Sequence, residues 1–256
     1  MAWQRQEEQG IRYYRSSLLA GLPWLVHAFS TRGTGKAPEG EENAGTDQAE
    51  ERRRFFALFR LSPAQVRMVK QVHGTAVHVV AKAAGGEQTP EADALVTNLP
   101  GVGLATVHAD CVPVLIVDPV RRAIAAVHAG WKGTLAQIVP KTLAQMEREY
   151  GTVPEDCWAA IGPAVGACCY RVSAERYKLF QESGLAAGLI EQDGIYALDL
   201  AAINRHYLRA LGVPDERIDP ANLCTACHPE VFYSYRREQT TGRMLSLIAI
   251  KENGKE

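Results

Sequence analysis

Apolar positions in this chain fall into short runs and alternations, broken by glycine, proline and polar clusters. The densest stretch runs from Gly101 to Thr134. Within it, Gly-Val-Gly-Leu-Ala-Thr-Val-His, Val-Pro-Val-Leu-Ile-Val-Asp and Ala-Ile-Ala-Ala-Val-His-Ala predict three apolar strands, each closing at a polar residue or turn. Other strands are expected at residues 24–29, 158–161, 231–235 and 245–250. A hairpin is expected from 66–73 through Gly74-Thr75 onto 77–81. Helical spacing predicts a helix over 50–61 with Phe55, Leu58 and Phe59 on one face. A second helix starts at Thr134, carries Leu135, Ile138, Val139, Leu143 and Met146, bends or splits at Pro140 and stops at Gly151. Ser173 caps a helix through Phe180, and Asp199 caps another with Leu200, Ile203, Tyr207, Leu208 and Leu211 inward. Residues 38–47 and 83–92 read as loops. Strands and helices mix without a regular βαβ rhythm, which predicts an α/β layered domain with mixed sheets.

Composition narrows the reading. The 256 residues fit one domain, 1–256, large enough to bury roughly three quarters of the unfolded surface without disulfides. A formal net charge of −1 gives no electrostatic reason for a nucleic acid or membrane partner. The first ten residues lack an apolar signal core, and no apolar run reaches the ~18 residues of a membrane span. The expectation is a soluble, cytoplasmic protein. Six cysteines in that setting are thiols or ligands. Cys224-Thr225-Ala226-Cys227-His228 has the letters of a haem attachment site, yet as a zinc ribbon it is half a site, since no second such pair occurs. It is read as packing, as are the adjacent Cys168 and Cys169.

Cys111 and His128 sit at the ends of apolar strands, and His73 precedes a glycine. Two imidazoles and a thiolate form the three-ligand set of a catalytic zinc site, which keeps one position open. The three are far apart in sequence, so spacing alone says little, and isolated histidines and cysteines at strand ends more often pack than ligate. Asp110 is expected to orient its neighbour from the opposite face of the strand. His108 is placed to touch substrate, and Trp131 to wall the pocket. Copper is the alternative metal, because the same ligands with an axial methionine such as Met68 suit blue copper. A metal-free hydrolase with Cys111 as nucleophile and His73 or His128 as base is a further alternative, and a non-enzymatic binding module another.

Five ordered motifs resemble the YfiH or laccase-domain family: residues 71–74 (Gln-Val-His-Gly), 109–115 (Ala-Asp-Cys-Val-Pro-Val-Leu), 127–134 (Val-His-Ala-Gly-Trp-Lys-Gly-Thr), 161–172, and 232–237 followed by Thr241-Gly242-Arg243-Met244. The resemblance spans nearly the whole chain. It implies a single layered αββα-type domain, grouped with cysteine hydrolases of the cytotoxic necrotizing factor type. It also implies a purine nucleoside phosphorylase acting on adenosine, inosine and methylthioadenosine with phosphate, with adenosine deaminase activity; the older label is polyphenol oxidase. The family's metal ligands carry over to His73, Cys111 and His128, which would also be the catalytic groups, with zinc as cofactor. Arg32, Lys70 and Arg236 are then the cations for phosphate, and Asn43 and Gln71 the hydrogen-bonding groups for ribose or base. Monomer and homodimer are both compatible. Two departures bear on substrate contacts: His108 stands where the family has threonine, and Arg32 opens Gly-Thr-Gly-Lys where the family reads closer to Arg-x-Gly-Gly-x-Ser.

Overall fold

The computed structural model describes residues 3–33, 48–82, 89–239 and 241–252. The three central apolar runs form strands Gly103–His108, Val112–Asp118 and Ala123–Ala129. They do not share one sheet. Gly103–His108 lies in a six-stranded sheet ordered Gln4–Glu8, Ile11–Arg15, Leu25–Ser30, Met244–Ile250, Gly103–His108, Val66–Arg67. The other two pair antiparallel at the centre of a second six-stranded sheet, ordered Ile218–Pro220, Trp158–Ile161, Val112–Asp118, Ala123–Ala129, Ala94–Thr97, Val77–Val79. Both sheets are mixed: Val66–Arg67, Val77–Val79 and Ile218–Pro220 pair parallel with their neighbours.

Strand alternation explains the layers. Val114 and Ile116 pack with Ile138, Val139, Leu143, Leu200 and Ile203 of the helices Ile138–Tyr150 and Leu200–Ala210. The intervening Leu115 and Val117 pack with Phe29, Leu104 and Ile248 of the first sheet. A strand buried on both faces must be apolar throughout, which is why this run reads as continuous rather than alternating. On the outer face of the first sheet, Phe55 and Phe56 of the helix Gln48–Leu58 close over Ile11, Tyr13, Ala28 and Leu247. The order helix, sheet, sheet, helix is the αββα layering that the family resemblance implies. A small third sheet, Arg171–Val172 with Ile195–Leu198 and Leu189–Gln192, lies beside the helices.

Several local expectations are corrected. Residues 66–73 and 77–81 are not a hairpin, because the first two residues join one sheet and Val77–Val79 joins the other. The segment between them is a bridge across layers, which period-two alternation cannot reveal. The helical run after Gly130 does split, but at Gln137 (φ 64°), before Pro140. Pro140 then falls in the first turn of Ile138–Tyr150, where its missing N–H costs no helical bond. Thr134 lies inside the short helix Trp131–Leu135 rather than at its cap. The expected strand at 231–235 is instead a turn leading into the helical turn Tyr235–Glu238, capped by Ser234. Leu211 lies at the C-cap of its helix and is exposed. The polar Gln4–Glu8 is an unforeseen edge strand, joined to Ile11–Arg15 through Gln9 and Gly10, both at positive φ. The expected loop at 38–47 and residues 83–88 lie outside the described residues.

Gly162, just past the strand Trp158–Ile161, lies tight against Phe29 of the first sheet. A Cβ there would fall on the ring of Phe29 and 2.9 Å from Pro113. Gly162→Ala is therefore expected to lose about 1–3 kcal/mol of stability by overpacking. A lower midpoint in urea unfolding, with an unchanged slope, checks this; an unchanged midpoint contradicts it.

Candidate metal centre

The chain passes from one sheet to the other at Ala109-Asp110-Cys111. Asp110 takes a positive φ of 89° there, outside any strand. Its carboxylate accepts from Thr225 Oγ1 at 2.6 Å and from the Arg236 backbone N–H at 2.5 Å. Asp110 thus anchors the crossover rather than extending a strand face, and that anchor fixes where the next residue, Cys111, is presented.

His128 is the penultimate residue of Ala123–Ala129, and His73 sits on the bridge between layers with a left-handed φ of 58°. The ligand-capable atoms of His73, Cys111 and His128 all lie within 4.8 Å of one another. The two imidazole rings are 4.9 Å apart at their centroids and nearly perpendicular. A tetrahedral zinc ion with bonds of about 2.0–2.3 Å holds its donors about 3.3–3.8 Å apart, so the set fits a metal with little closure. Gly130 allows that closeness: a Cβ there would lie 3.0 Å from His73 Cδ2 and 3.2 Å from Cys111 Sγ.

Asp93, which the sequence reading passed over, organises the site. It is fully buried just before the strand Ala94–Thr97. Its carboxylate accepts the N–H groups of Val72 (3.2 Å), His73 (2.9 Å) and Gly74 (2.6 Å), and pairs with His128 Nδ1 at 2.9 Å. One side chain therefore shapes the turn that carries the first ligand and orients the ring of another. With Nδ1–H directed at Asp93, His128 keeps Nε2 as a lone-pair donor. An acidic residue opening an apolar run, Glu91-Ala92-Asp93-Ala94-Leu95-Val96, was the available signal.

Charge follows geometry. Burial alone would push the Cys111 thiol up and the His128 imidazole down. Hydrogen bonds outweigh it: His128 and His73 bring Cys111 down to about 6, and Asp93 with Cys111 brings His128 up to about 9. Burial also raises Asp93, but its bonds to His128 and to the Gly74 N–H leave it lowered. Without metal, then, the pair is a thiolate and an imidazolium between those values. The metal-free protein is expected to alkylate Cys111 with half-maximal rate near pH 6, well below a free thiol at ~8.5. Peptide mapping after iodoacetamide at a series of pH values measures it. Asp93→Asn removes the orienting charge and is expected to weaken metal binding by about 10–100-fold, read by competition with a chelator.

The other sequence-selected residues are placed as follows. His108 is buried, with burial and then His128 holding it down to about 3, and neither ring nitrogen has a hydrogen-bond partner in good geometry. Gln71 turns its amide onto the backbone of Val107, giving 2.7 Å and accepting 2.8 Å. Lys70 pairs with Glu91 on an exposed bridge. Arg32 pairs with Glu238 and lies over the Tyr233 ring. Arg236 donates to the carbonyls of Cys169 (3.2 Å) and Arg171 (2.7 Å), so no carboxylate neutralises it in these bonds. Asn43 lies outside the described residues. Arg176, not singled out from sequence, stacks on Trp131 at 4.4 Å, and it shares with Arg236 and Cys111 an electrostatic influence on Tyr170.

Residues 27–251 match the family described as multi-copper polyphenol oxidoreductase laccase. A protein of Bacteroides thetaiotaomicron called purine nucleoside phosphorylase is 39% identical over 220 residues, covering 80% of this chain and 82% of that protein. One of Deinococcus radiodurans with the same name is 38% identical over 247 residues, covering 90% and 94%. The crystal structure of YlmD from Geobacillus stearothermophilus superposes with a TM-score of 0.85 at 30% identity, covering 97% of this chain and 99% of that one. Bacillus licheniformis YfiH gives 0.82 at 28% identity, covering 95% and 100%. A match that spans the central strands, both histidines and Cys111, together with the shared fold, means that the chain belongs to this laccase-domain family and has the YfiH-like fold.

Proposed function

We propose that the protein is a zinc-dependent purine nucleoside phosphorylase that cleaves adenosine, inosine and methylthioadenosine with phosphate. The observation that carries the reading is the convergence of the ligand atoms of His73, Cys111 and His128 to within 4.8 Å of one another, with His73 exposed and Cys111 half-buried. The names of relatives that align over most of both chains supply the substrate class. The family description speaks of several coppers, but such a centre needs many imidazoles. Of the seven histidines, all among the described residues, two join this group.

A divalent ion held by the three side chains would supply a Lewis acid for a phosphate or ribose oxygen. The protein's own groups do the rest. Asp93 keeps His128 in one tautomer and one orientation. Arg236, whose guanidinium bonds only carbonyls here, is the cation best placed to receive phosphate, since the Asp110 anchor ties its backbone next to Cys111. Arg176 on Trp131 is a second cation on that side. Lys70 and Arg32 would have to leave carboxylate partners to serve phosphate. His108, kept neutral by burial, has both ring nitrogens sealed from solvent, so it stands behind the site rather than in reach of a purine or ribose.

A second reading has specific support. Cys111, His128 and Asp93 form a nucleophile, base and orienter series, and in the absence of metal its thiolate is already favoured. Under that reading the protein is a cysteine hydrolase.

Cys111→Ala is expected to abolish both stoichiometric zinc and phosphate-dependent release of free base. Elemental analysis beside an assay of purine release with and without phosphate tests this. The same reactions followed for ammonia from adenosine report deamination. Retained phosphorolysis in the zinc-free variant would sink the reading, and covalent trapping of Cys111 in metal-stripped, active protein would establish the hydrolase instead. Gly130→Ala is expected to lower zinc affinity while the protein stays folded, because the added methyl presses on His73 and Cys111. Unaltered affinity in a chelator competition would contradict that.

A further inference from the structure

A second cluster of metal-capable side chains lies outside the site just described. Cys168, Cys169, Cys224 and Cys227 bring all four sulfur atoms within 4.8 Å of one another. Cys227 Sγ stands 3.6 Å from Cys168 Sγ and 3.4 Å from Cys169 Sγ, and all four are free thiols. Cys168 and Cys227 are exposed, and the other two are half-buried. The Cys-x-x-Cys pair that looks like half a zinc ribbon in sequence finds its other half in the adjacent cysteines, some fifty-five residues earlier in the chain.

We infer that these four cysteines form a structural zinc site, separate from His73, Cys111 and His128. A tetrahedral tetrathiolate with Zn–S bonds of about 2.3 Å places its sulfurs about 3.8 Å apart. The Cys227 separations of 3.6 and 3.4 Å fall slightly short of that, and all the others lie within 4.8 Å, so the four sulfurs bracket the tetrahedral spacing. The surroundings suit sulfur ligands. Gly166 donates its N–H to Cys224 Sγ at 3.2 Å, and the backbone of Cys227 bonds the same sulfur. Gly166 eases this approach, since a Cβ would press on both Cys168 Sγ and Cys224 Cβ at 3.3 Å. Four thiolates around a dication leave a net charge of −2. Two guanidiniums border the cluster, Arg236 bonding the Cys169 carbonyl and Arg237 bonding the carbonyls of Thr225 and Ala226. Binding from the thiol state releases up to four protons and requires no redox partner.

The site joins two straps that otherwise touch through few backbone bonds, the Ala164–Cys224 bridge among them. Both straps hold Asp110: Val165 N–H donates to its carbonyl and Thr225 Oγ1 to its carboxylate. A zinc ion here would staple the crossover that presents Cys111, without touching substrate. The inference does not depend on the phosphorylase reading.

Zinc content separates the two sites. The Cys224→Ser, Cys227→Ser double variant is expected to carry one molar equivalent less zinc than the wild type and to keep the equivalent lost in Cys111→Ala. Should the double variant fail to fold, alkylation of the wild type decides. In zinc-replete wild-type protein, Cys168 and Cys227 are expected to resist iodoacetamide although they are exposed, and all four cysteines to react once a strong chelator is added. Equal zinc in the wild type and a folded double variant overturns the inference. So does prompt alkylation of Cys168 and Cys227 in the replete protein.

Discussion

One carboxylate holds the candidate site together. Asp93 is buried where the strand Ala94–Thr97 begins, and a charge in that position is tolerated only because every bond it can accept is made. Three of those bonds come from consecutive N–H groups of Val72, His73 and Gly74, which form a small cationic nest. The fourth partner is His128. The turn carrying one imidazole and the strand carrying the other are therefore referred to a single group. A chain with an apolar residue at that position could build the same two sheets, but nothing would force His73 into its left-handed conformation beside His128.

The layered fold supplies the second constraint. Stacking two sheets makes the connection from Gly103–His108 to Val112–Asp118 a crossing between layers, and residues at a crossing lie at the rim of the inter-sheet core. Cys111 sits there, half-buried, beside Gly130 and the two imidazoles. That placement gives a thiol in low dielectric next to two imidazoles, a setting in which specific hydrogen bonds count for more than they would in water. Asp110 secures the crossing from the other side through Thr225 and Arg236.

Those straps link the two cysteine-bearing regions. The segment 164–172 and the segment 222–237 wrap the same corner from outside, and both end their bonds on Asp110 or its neighbours. They carry little regular structure of their own. Side chains do part of what a sheet ladder would: Arg236 ties the two segments through the carbonyls of Cys169 and Arg171, and Arg237 braces the second segment through the carbonyls of Thr225, Ala226 and Phe232.

Legibility in the sequence follows the range of the forces involved. Apolar alternation and capping are local, so the three central strands, the helices capped by Ser173 and Asp199 and the final strand Met244–Ile250 can all be read directly. The motif resemblance adds the αββα layering and the identity of the three candidate ligands, which spacing alone leaves undecided. What only the tertiary structure decides is partnership between distant residues. The pairing of Val66–Arg67 and Val77–Val79 with different sheets depends on which strand edge is free, and no local period encodes that. Asp93 looks like an ordinary acidic residue until its four partners surround it. Cys168 and Cys169 look like packing until Cys224 and Cys227 arrive from a segment that the second sheet brings alongside. By itself the sequence determined which residues could be buried and which could bind; close contact between them is a property of the folded layers, because it takes long-range packing to offset the entropy of bringing such distant segments together.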